Sequence, residues 1–426
     1  MTLARPAQPT LNVIESHCVH FKHLFAEVRT FEHFQTMHVG LLSDTSRKTL
    51  PAIAKHLGLE HSQGLHHLLV TEHLDTQALR QQRLALVRQT LAHHPVTLMI
   101  DETGDRKKGT TTDYVSRQYL GSLGKVDNGL VTVHVVALLN GITFPLLWKV
   151  FKPKSRLRSG DVHRSKIQLA VQMLEEVANW GLHIELVVAD SAYGMASEVV
   201  RFLQARQWSY ALALRSDFGM YLPEGEKVWH KPWVKVARHL SDGSVQERWA
   251  QEVVWGKERK ERYVVLTSDP KTQPANETSF VRTQLPGEDG LEKLADAYGQ
   301  RTWIESSFRN QKTELGWHDW RVTKWEHIER WYELVLSSYT LVSRLAHGKV
   351  LETRESEKKC REEQGAEKEK QPIVKPRWCD ALKEVRHWIE PIQACVMLMG
   401  WSSLLGVEPS LLHQALHTLY QLSFPQ

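Results

Sequence analysis

Apolar residues recur at three- and four-residue spacing through SHCVHFKHLFAEVRTFEHF (16–34) and again through LDTQALRQQRLALVRQTLAHH (74–94), the period of amphipathic helices. Between them TLPAIAKHLGLEHSQGLHHLL (49–69) has a short-helix, glycine, short-helix rhythm compatible with a helix-turn-helix. A simple helical dimerisation domain fits the same pattern. The periodicity changes at Pro95, where VTLMID (96–101) is an apolar β-rich run ending in acid. GLVTVHVVALL (129–139) and ITFPLLWKVF (142–151) are two further strands, and Asn140-Gly141 between them is a strong short hairpin signal.

Helical and extended periods then alternate. KIQLAVQMLEEVANWG (166–181) is an amphipathic helix, IELVVAD (184–190) a buried strand, ASEVVRFLQARQ (196–207) a helix and SYALALR (209–215) a strand. Three strands in hairpins followed by helix, strand, helix, strand is the order of a ribonuclease-H-like α/β core with a mixed five-stranded sheet. From 217 to 290 aromatics and valines alternate with charges, as in KVWHKPWVKV and ERWAQEVVW, which predicts a β-rich insert. Helix returns at 291–315 and 327–348. The expected organisation is therefore a helical DNA-binding or dimerisation domain (1–94), a core from 95–216 and 291–348, the insert (217–290), a polar connector (349–376) and a C-terminal helical segment (377–426).

Composition narrows the class only modestly. The chain has 426 residues, 42% hydrophobic, enough for a substantial core, and 54 basic against 49 acidic residues give a net charge of only +5. Four scattered cysteines without a CxxC pair argue against a disulfide framework or zinc ribbon. The N-terminus lacks a signal peptide's apolar stretch, and no run is long enough to span a bilayer, so a soluble, cytoplasmic protein with no membrane partner is expected.

The chemistry lies in carboxylates. In such a sheet the first strand and the strand after the crossover helix are central neighbours, so Asp101 and Asp190, at their ends, converge. Glu102 and Asp105 are alternatives to Asp101. A third carboxylate on a packed helix completes a site for two hard divalent cations, which stabilise the attacking and leaving oxygens of an in-line displacement at phosphorus. The helix after the insert reads Tyr298-x2-Arg301-x3-Glu305-x6-Lys312, four residue types on or near one helical face.

This spacing resembles the signature of the YREK group of DDE transposases, the insertion-sequence-four superfamily. DETGDRKKG with RQYLGSLGKVDNG, VVADSAYG and VVLTSD resemble the first-aspartate, second-aspartate and insert-closing segments of its seven-oh-one branch. The resemblance implies cleavage by water and then strand transfer by a freed DNA 3′-hydroxyl, dependent on two Mg²⁺ ions, with Mn²⁺ substituting. It implies Asp101, Asp190 and Glu305 as metal ligands, with Tyr298, Arg301 and Lys312 against the DNA backbone. It also implies double-stranded DNA partners, namely terminal inverted repeats and target DNA, and a homodimer or larger synaptic complex acting at the nucleoid. The alternative on the same fold is a domesticated or structure-selective DNA-binding nuclease without transposition. LLWKVFKPKSRLRSGD departs from the branch pattern, so family DNA contacts there do not carry over.

Basic clusters supply further expected DNA contacts: Lys107 and Lys108 beyond the first aspartate, and Lys154, Arg156 and Arg158 in the stretch 152–166. Lys257–Arg262 alternates in charge and is an exposed segment. Most of the fifteen tryptophans are expected in the core, with base stacking the alternative for those of the insert and Trp303. His17, Cys18, His20 and His23 have helical spacing and no second ligand pair, which makes them a helix face.

Overall fold

The computed structural model describes residues 5–71, 74–219, 227–255, 261–286, 290–364, 377–405, 410 and 414. Two compact units emerge, Leu84–Arg309 and the pairing of Met1–Arg83 with Asn310–Gln426.

The first of these is built on one large mixed sheet. Its strands are β1 (Pro95–Arg106), β2 (Ser116–Leu120), β3 (Lys125–Leu139), β4 (Ile142–Val150), β5 (His183–Ala189) and β6 (Tyr210–Leu214). The order β4-β3-β1-β5-β6, with β1, β5 and β6 parallel and β3 and β4 antiparallel, is the ribonuclease-H-like arrangement expected. The β3–β4 turn has Asn140 at φ 54° and Gly141 at φ 79°, the left-handed pair a two-residue hairpin requires.

The sheet does not stop at five strands. β7 (Val228–His230), β8 (Val234–His239), β9 (Val245–Trp255), β10 (Arg262–Thr267) and β11 (Ser279–Thr283) continue it, because β11 pairs antiparallel with β6. The backbone groups on that edge of β6 thus find ladder partners within the chain. Residues 256–260, within the segment expected to be exposed and alternately charged, lie outside the described residues.

Helices cover both faces. α6 (Lys166–Ala178) starts on a capping box in which the Ser165 hydroxyl accepts from Gln168 N and the Gln168 side chain accepts from Ser165 N. It packs on β3, β4 and α8 (Ser197–Ala205). The other face carries α9 (Gly290–Gly299) and α10 (Thr302–Arg309). Their Leu294, Ala295, Tyr298, Ile304 and Phe308 join Met99, Val136, Val188, Ala211, Val264 and Val281 of the sheet in one buried cluster. Burying each large member contributes roughly 1.5–3 kcal/mol.

The second unit is helical: α1 (Asn12–Cys18), α2 (Val28–Leu42), α3 (Leu50–His56), α4 (Gln63–Val70), the first half of α5 (Thr76–Leu91), α11 (Trp325–Gln364) and α12 (Trp378–Leu405). The 310–348 stretch, expected with the sheet, groups instead with the N-terminal helices, because α11 lies against α2, α4 and α12. Glu333 of α11 receives Arg80 Nε at 2.6 Å and Arg83 Nε at 2.9 Å in a buried pairing. Trp317 and Tyr332 stack at 3.6 Å. Arg330 donates to the carbonyls of Leu68, Leu69, Thr71 and Leu74.

Residues 352–364, expected as part of a polar connector, extend α11 instead. Their Glu, Lys and Arg residues are good helix formers, and packing of the preceding turns supplies the nucleus. Residues 365–376 of that connector, and most of 406–426 of the expected C-terminal segment, lie outside the described residues. Among the described residues no helix is long and apolar enough to cross a membrane.

Candidate active site

Asp101 was expected at the end of its strand, but β1 runs five residues further. β3 pairs with it from Thr97 through Arg106, whereas the parallel partner β5 leaves after Ile100↔Ala189. Asp101 therefore sits at the fork where β1 and β5 part. The backbone after β5 turns into a short helical turn, α7 (Ser191–Gly194), capped by the Asp190 carboxylate, which accepts from Ala192 N at 3.0 Å and Tyr193 N at 3.4 Å. Close docking of this turn requires Gly194, since a Cβ there would stand 1.9 Å from the Ala213 carbonyl oxygen of β6.

Strand parity separates the neighbouring acids. Met99 and Val188 belong to the face covered by α9 and α10, and Asp101 and Asp190, two residues on, share it. His134, opposite Asp101 in the β3 register, meets Phe308 of α10 edge-on at 5.0 Å. Glu102 has the opposite parity: it pairs with Lys166 of α6 and accepts from the Tyr193 hydroxyl at 3.3 Å. Asp105 has the parity of Asp101 but is roughly 13 Å further along the strand, and it is buried.

The two aspartates repel one another. Burial first, and then the charge of Asp190, push the Asp101 carboxyl up to about 7, against the donation from Glu102 N and the attraction of Arg301. Burial likewise raises Asp190, opposed by its backbone donors and by Arg301. For Arg301, burial works against the charge, but Tyr298, Glu305, Asp101 and Asp190 around it hold the guanidinium more basic than usual.

The Tyr298–Lys312 signature does not lie on one continuous helix. Tyr298 is in α9, Arg301 in the break between α9 and α10, Glu305 in the first turn of α10, and Lys312 in a π-helical turn, Asn310–Glu314, that belongs to the other compact unit. The break has local causes. Gly299 lies against the insert, where a Cβ would come within 3.0 Å of the His239 carbonyl oxygen. Thr302 Oγ1 donates to Gly299 O and accepts from Ser241 N, a residue of the β8–β9 turn. The Tyr298 side chain is largely buried in the core cluster.

Arg301 Nη2 and Glu305 Oε1 form an ion pair of 2.8 Å, with the Glu305 side chain half exposed. Among the described residues no three His, Cys, Asp or Glu side chains stand together in an arrangement able to hold an ion. Asp101 and Asp190 nevertheless suit a hard divalent cation: both are oxygen donors, and their repulsion is what a cation at the fork relieves. Glu305 is engaged by Arg301.

The family profile described as DDE superfamily endonuclease matches residues 21–267, more than half of the chain. A probable transposase for insertion sequence element IS701 from Microchaete diplosiphon is 42% identical over 330 residues, covering 77% of this chain and 87% of that protein. The chain belongs to the DDE superfamily endonucleases. Within that superfamily it is a transposase of the IS701 type, an enzyme that acts on DNA and depends on divalent metal. The profile match ends before the signature helices, so Glu305 lies beyond it.

The basic residues expected along DNA divide by their contacts. Arg156 Nη2 donates to the carbonyls of Thr110 and Thr112 at 2.7 and 2.9 Å, and Arg158 pairs with Asp113 at 3.0 Å. Both hold the 110–113 loop to the segment after β4, a role that residue counting along the chain does not reveal. Lys108 and Lys154 are exposed and Lys107 is half-buried. Of the tryptophans, Trp148, Trp317, Trp320, Trp325, Trp331 and Trp378 are buried, and Trp303 packs over the Gly141 turn. Trp229 of β7 is 53% exposed. His17 and Cys18 are buried while His20 and His23 are exposed.

Sequence reasoning missed Ser241. Its hydroxyl donates to Thr302 O and lies 2.6 Å from the Ser306 hydroxyl, so the insert's turn grips α10 on both sides of Glu305. No motif marks it; only the tertiary contact does.

Proposed function

We propose that the enzyme cleaves and joins DNA at the terminal inverted repeats of its insertion sequence, in cut-and-paste transposition, with Asp101, Asp190 and Glu305 as the ligands of two Mg²⁺ ions that Mn²⁺ replaces. The observation that carries this reading is the fork between β1 and β5, where two carboxylates of common parity lie beneath the helix bearing Glu305. When bound, the metal supplies charge neutralisation at phosphorus and a water or DNA 3′-hydroxyl of raised nucleophilicity.

The chain's own residues do the positioning. The Asp190 carboxylate is held by two backbone N–H groups, so its rotamer is set before substrate arrives. Arg301, beside both aspartates, is suited to a DNA phosphate through its fork of donors. Lys312, Lys107, Lys108 and Lys154 would neutralise backbone charge, with Tyr298 contributing its hydroxyl edge and Arg156 and Arg158 the shape of their loop. Two protomers in a synaptic complex at the nucleoid would bring two element ends together with target DNA.

Asp101→Asn, Asp190→Asn and Glu305→Gln are each expected to abolish cleavage of a duplex carrying the element end in Mg²⁺, while gel-shift binding persists. Sized products from the triple variant equal to those of the wild type would overturn the ligand assignment.

A further inference from the structure

We propose that Arg301 holds Glu305 in reserve, so that the third carboxylate joins the two aspartates only after a DNA phosphodiester has taken the guanidinium. The inference rests on the ligand set proposed above and adds a coupling between DNA occupancy and assembly of that set.

Three observations carry it. Arg301 Nη2 is 2.8 Å from Glu305 Oε1, and the same guanidinium is within electrostatic reach of Asp101 and Asp190. Its positive charge therefore stands toward all three acids as a cation would, and it offsets part of their repulsion. Second, the side chains come from different local structures. Arg301 lies in the break between α9 and α10, whereas Glu305 lies inside α10, whose first turn is fixed by Ser241. The arginine is thus on a turn held by three-residue hydrogen bonds, from Arg301 N to Tyr298 O and from Ile304 N to Arg301 O, and the glutamate is on the helix that Ser241 anchors. Third, the Glu305 side chain is 50% exposed and that of Arg301 27%. With Glu305 half exposed and joined through a single Nη2–Oε1 contact the pair is exchangeable, and a phosphodiester offers the guanidinium a bidentate partner.

The consequence is an order of events. In the DNA-free protein Glu305 is neutralised by Arg301 and the two aspartates stand without it. A phosphodiester arriving at Arg301 releases Glu305 and adds its own oxygens to the carboxylates. Metal affinity and DNA occupancy therefore rise together, as linkage requires.

The test is Mn²⁺ binding to the full chain, followed by electron paramagnetic resonance, without and with a short duplex DNA and with inorganic phosphate as a separate arm. Five proteins are compared: wild type, Arg301→Gln, Glu305→Gln, the double variant, and Arg301→Lys, which keeps the charge and loses the fork. Arg301→Gln is expected to bind Mn²⁺ about five- to tenfold more tightly than wild type when Glu305 is present, the scale of releasing one half-exposed pair and one repelling charge. The same substitution in the Glu305→Gln background is expected to gain at most about half as much in logarithmic terms, a coupling that a double-mutant cycle reads directly. Duplex DNA is expected to tighten Mn²⁺ binding to wild type and to change Arg301→Gln little. Equal gains in both backgrounds would reduce Arg301 to a through-space charge and overturn the proposal, as would no gain at all. Unchanged Mn²⁺ affinity in an Asp101→Asn, Asp190→Asn protein would instead overturn the ligand set itself.

Discussion

The hydroxyls of Ser241 and Ser306 stand 2.6 Å apart, joining the turn between β8 and β9 to the helix that carries Glu305. Ser241 also meets Thr302 through its backbone N–H and its hydroxyl, so three contacts fix the start of α10. Ser241→Ala should slow single-turnover cleavage about fivefold, the effect of roughly 1 kcal/mol of lost hydrogen bonding, with DNA affinity unchanged. Wild-type cleavage by the alanine variant would show that the turn does not position α10.

Gly194 allows the turn after Asp190 to sit against β6. In Gly194→Ala the methyl group meets the Ala213 carbonyl oxygen, so the turn must move and carry the Asp190 cap with it. The expected result is about 1–3 kcal/mol of lost stability in urea unfolding, together with a loss of cleavage larger than that destabilisation explains. Unaltered stability and cleavage would disprove the close approach.

In the helical unit, His38 is wholly buried between the Phe34 carbonyl and the Ser337 hydroxyl, each 2.9 Å away, and His17 reaches the same hydroxyl at 3.0 Å. With His38 Nδ1 donating to Phe34 O, Nε2 accepts from Ser337, and the ring is neutral. Burial holds its pKa down at about 4. The unfolded chain takes up this proton near pH 6.5 and the folded chain only near 4, so stability falls as pH drops through that window and levels off below it. The contribution is on the order of 3 kcal/mol, and the buried His17 adds in the same direction. Urea midpoints across this range should show the slope, reduced in His38→Gln; an identical slope in the variant would exclude His38 as its source.

Lys154 and Arg156 are two residues apart and should behave differently. Lys154 is exposed, whereas Arg156 is engaged by the carbonyls of Thr110 and Thr112. Lys154→Ala should weaken DNA binding and lower the salt slope of log affinity by about one. Arg156→Ala should chiefly loosen the 110–113 loop, seen as faster backbone hydrogen exchange there. A salt slope that falls only in the Arg156 variant would reverse these roles.

Arg330 satisfies four carbonyls around the end of α4 and the start of α5. A lysine cannot present donors to all four, so Arg330→Lys is expected to cost about 2–3 kcal/mol, nearly as much as Arg330→Ala. Full rescue by lysine in thermal unfolding would show that charge alone is what the site needs.

Much of the sheet was legible because its strands are apolar runs punctuated by unmistakable turns, such as Asn140-Gly141 and Gly181. Asp190 was legible for the same reason, since a buried strand ends visibly at it. Asp101 was harder: the β1–β3 ladder continues beyond it through polar residues, and only pairing shows that the parallel partner leaves there. Glu102 could be told from Asp101 only by parity within a formed sheet. The signature looked like a single helix because periodicity is blind to Gly299 packing on His239, a contact between segments sixty residues apart. The grouping of α11 with the N-terminal helices was illegible for a related reason. Glu333 reads as one more surface charge until Arg80 and Arg83 are brought to it.

The insert separates the last proposed ligand from the first two in time as well as in sequence. Asp101 and Asp190 leave the ribosome early, but α10 can be gripped only after the β8–β9 turn has formed and the chain has passed residue 306. A nascent or truncated chain that ends within the insert therefore has two acids and no third. For an enzyme that cuts DNA, this makes synthesis past α10 a precondition of harm: fragments that stop within the insert are born without a blade.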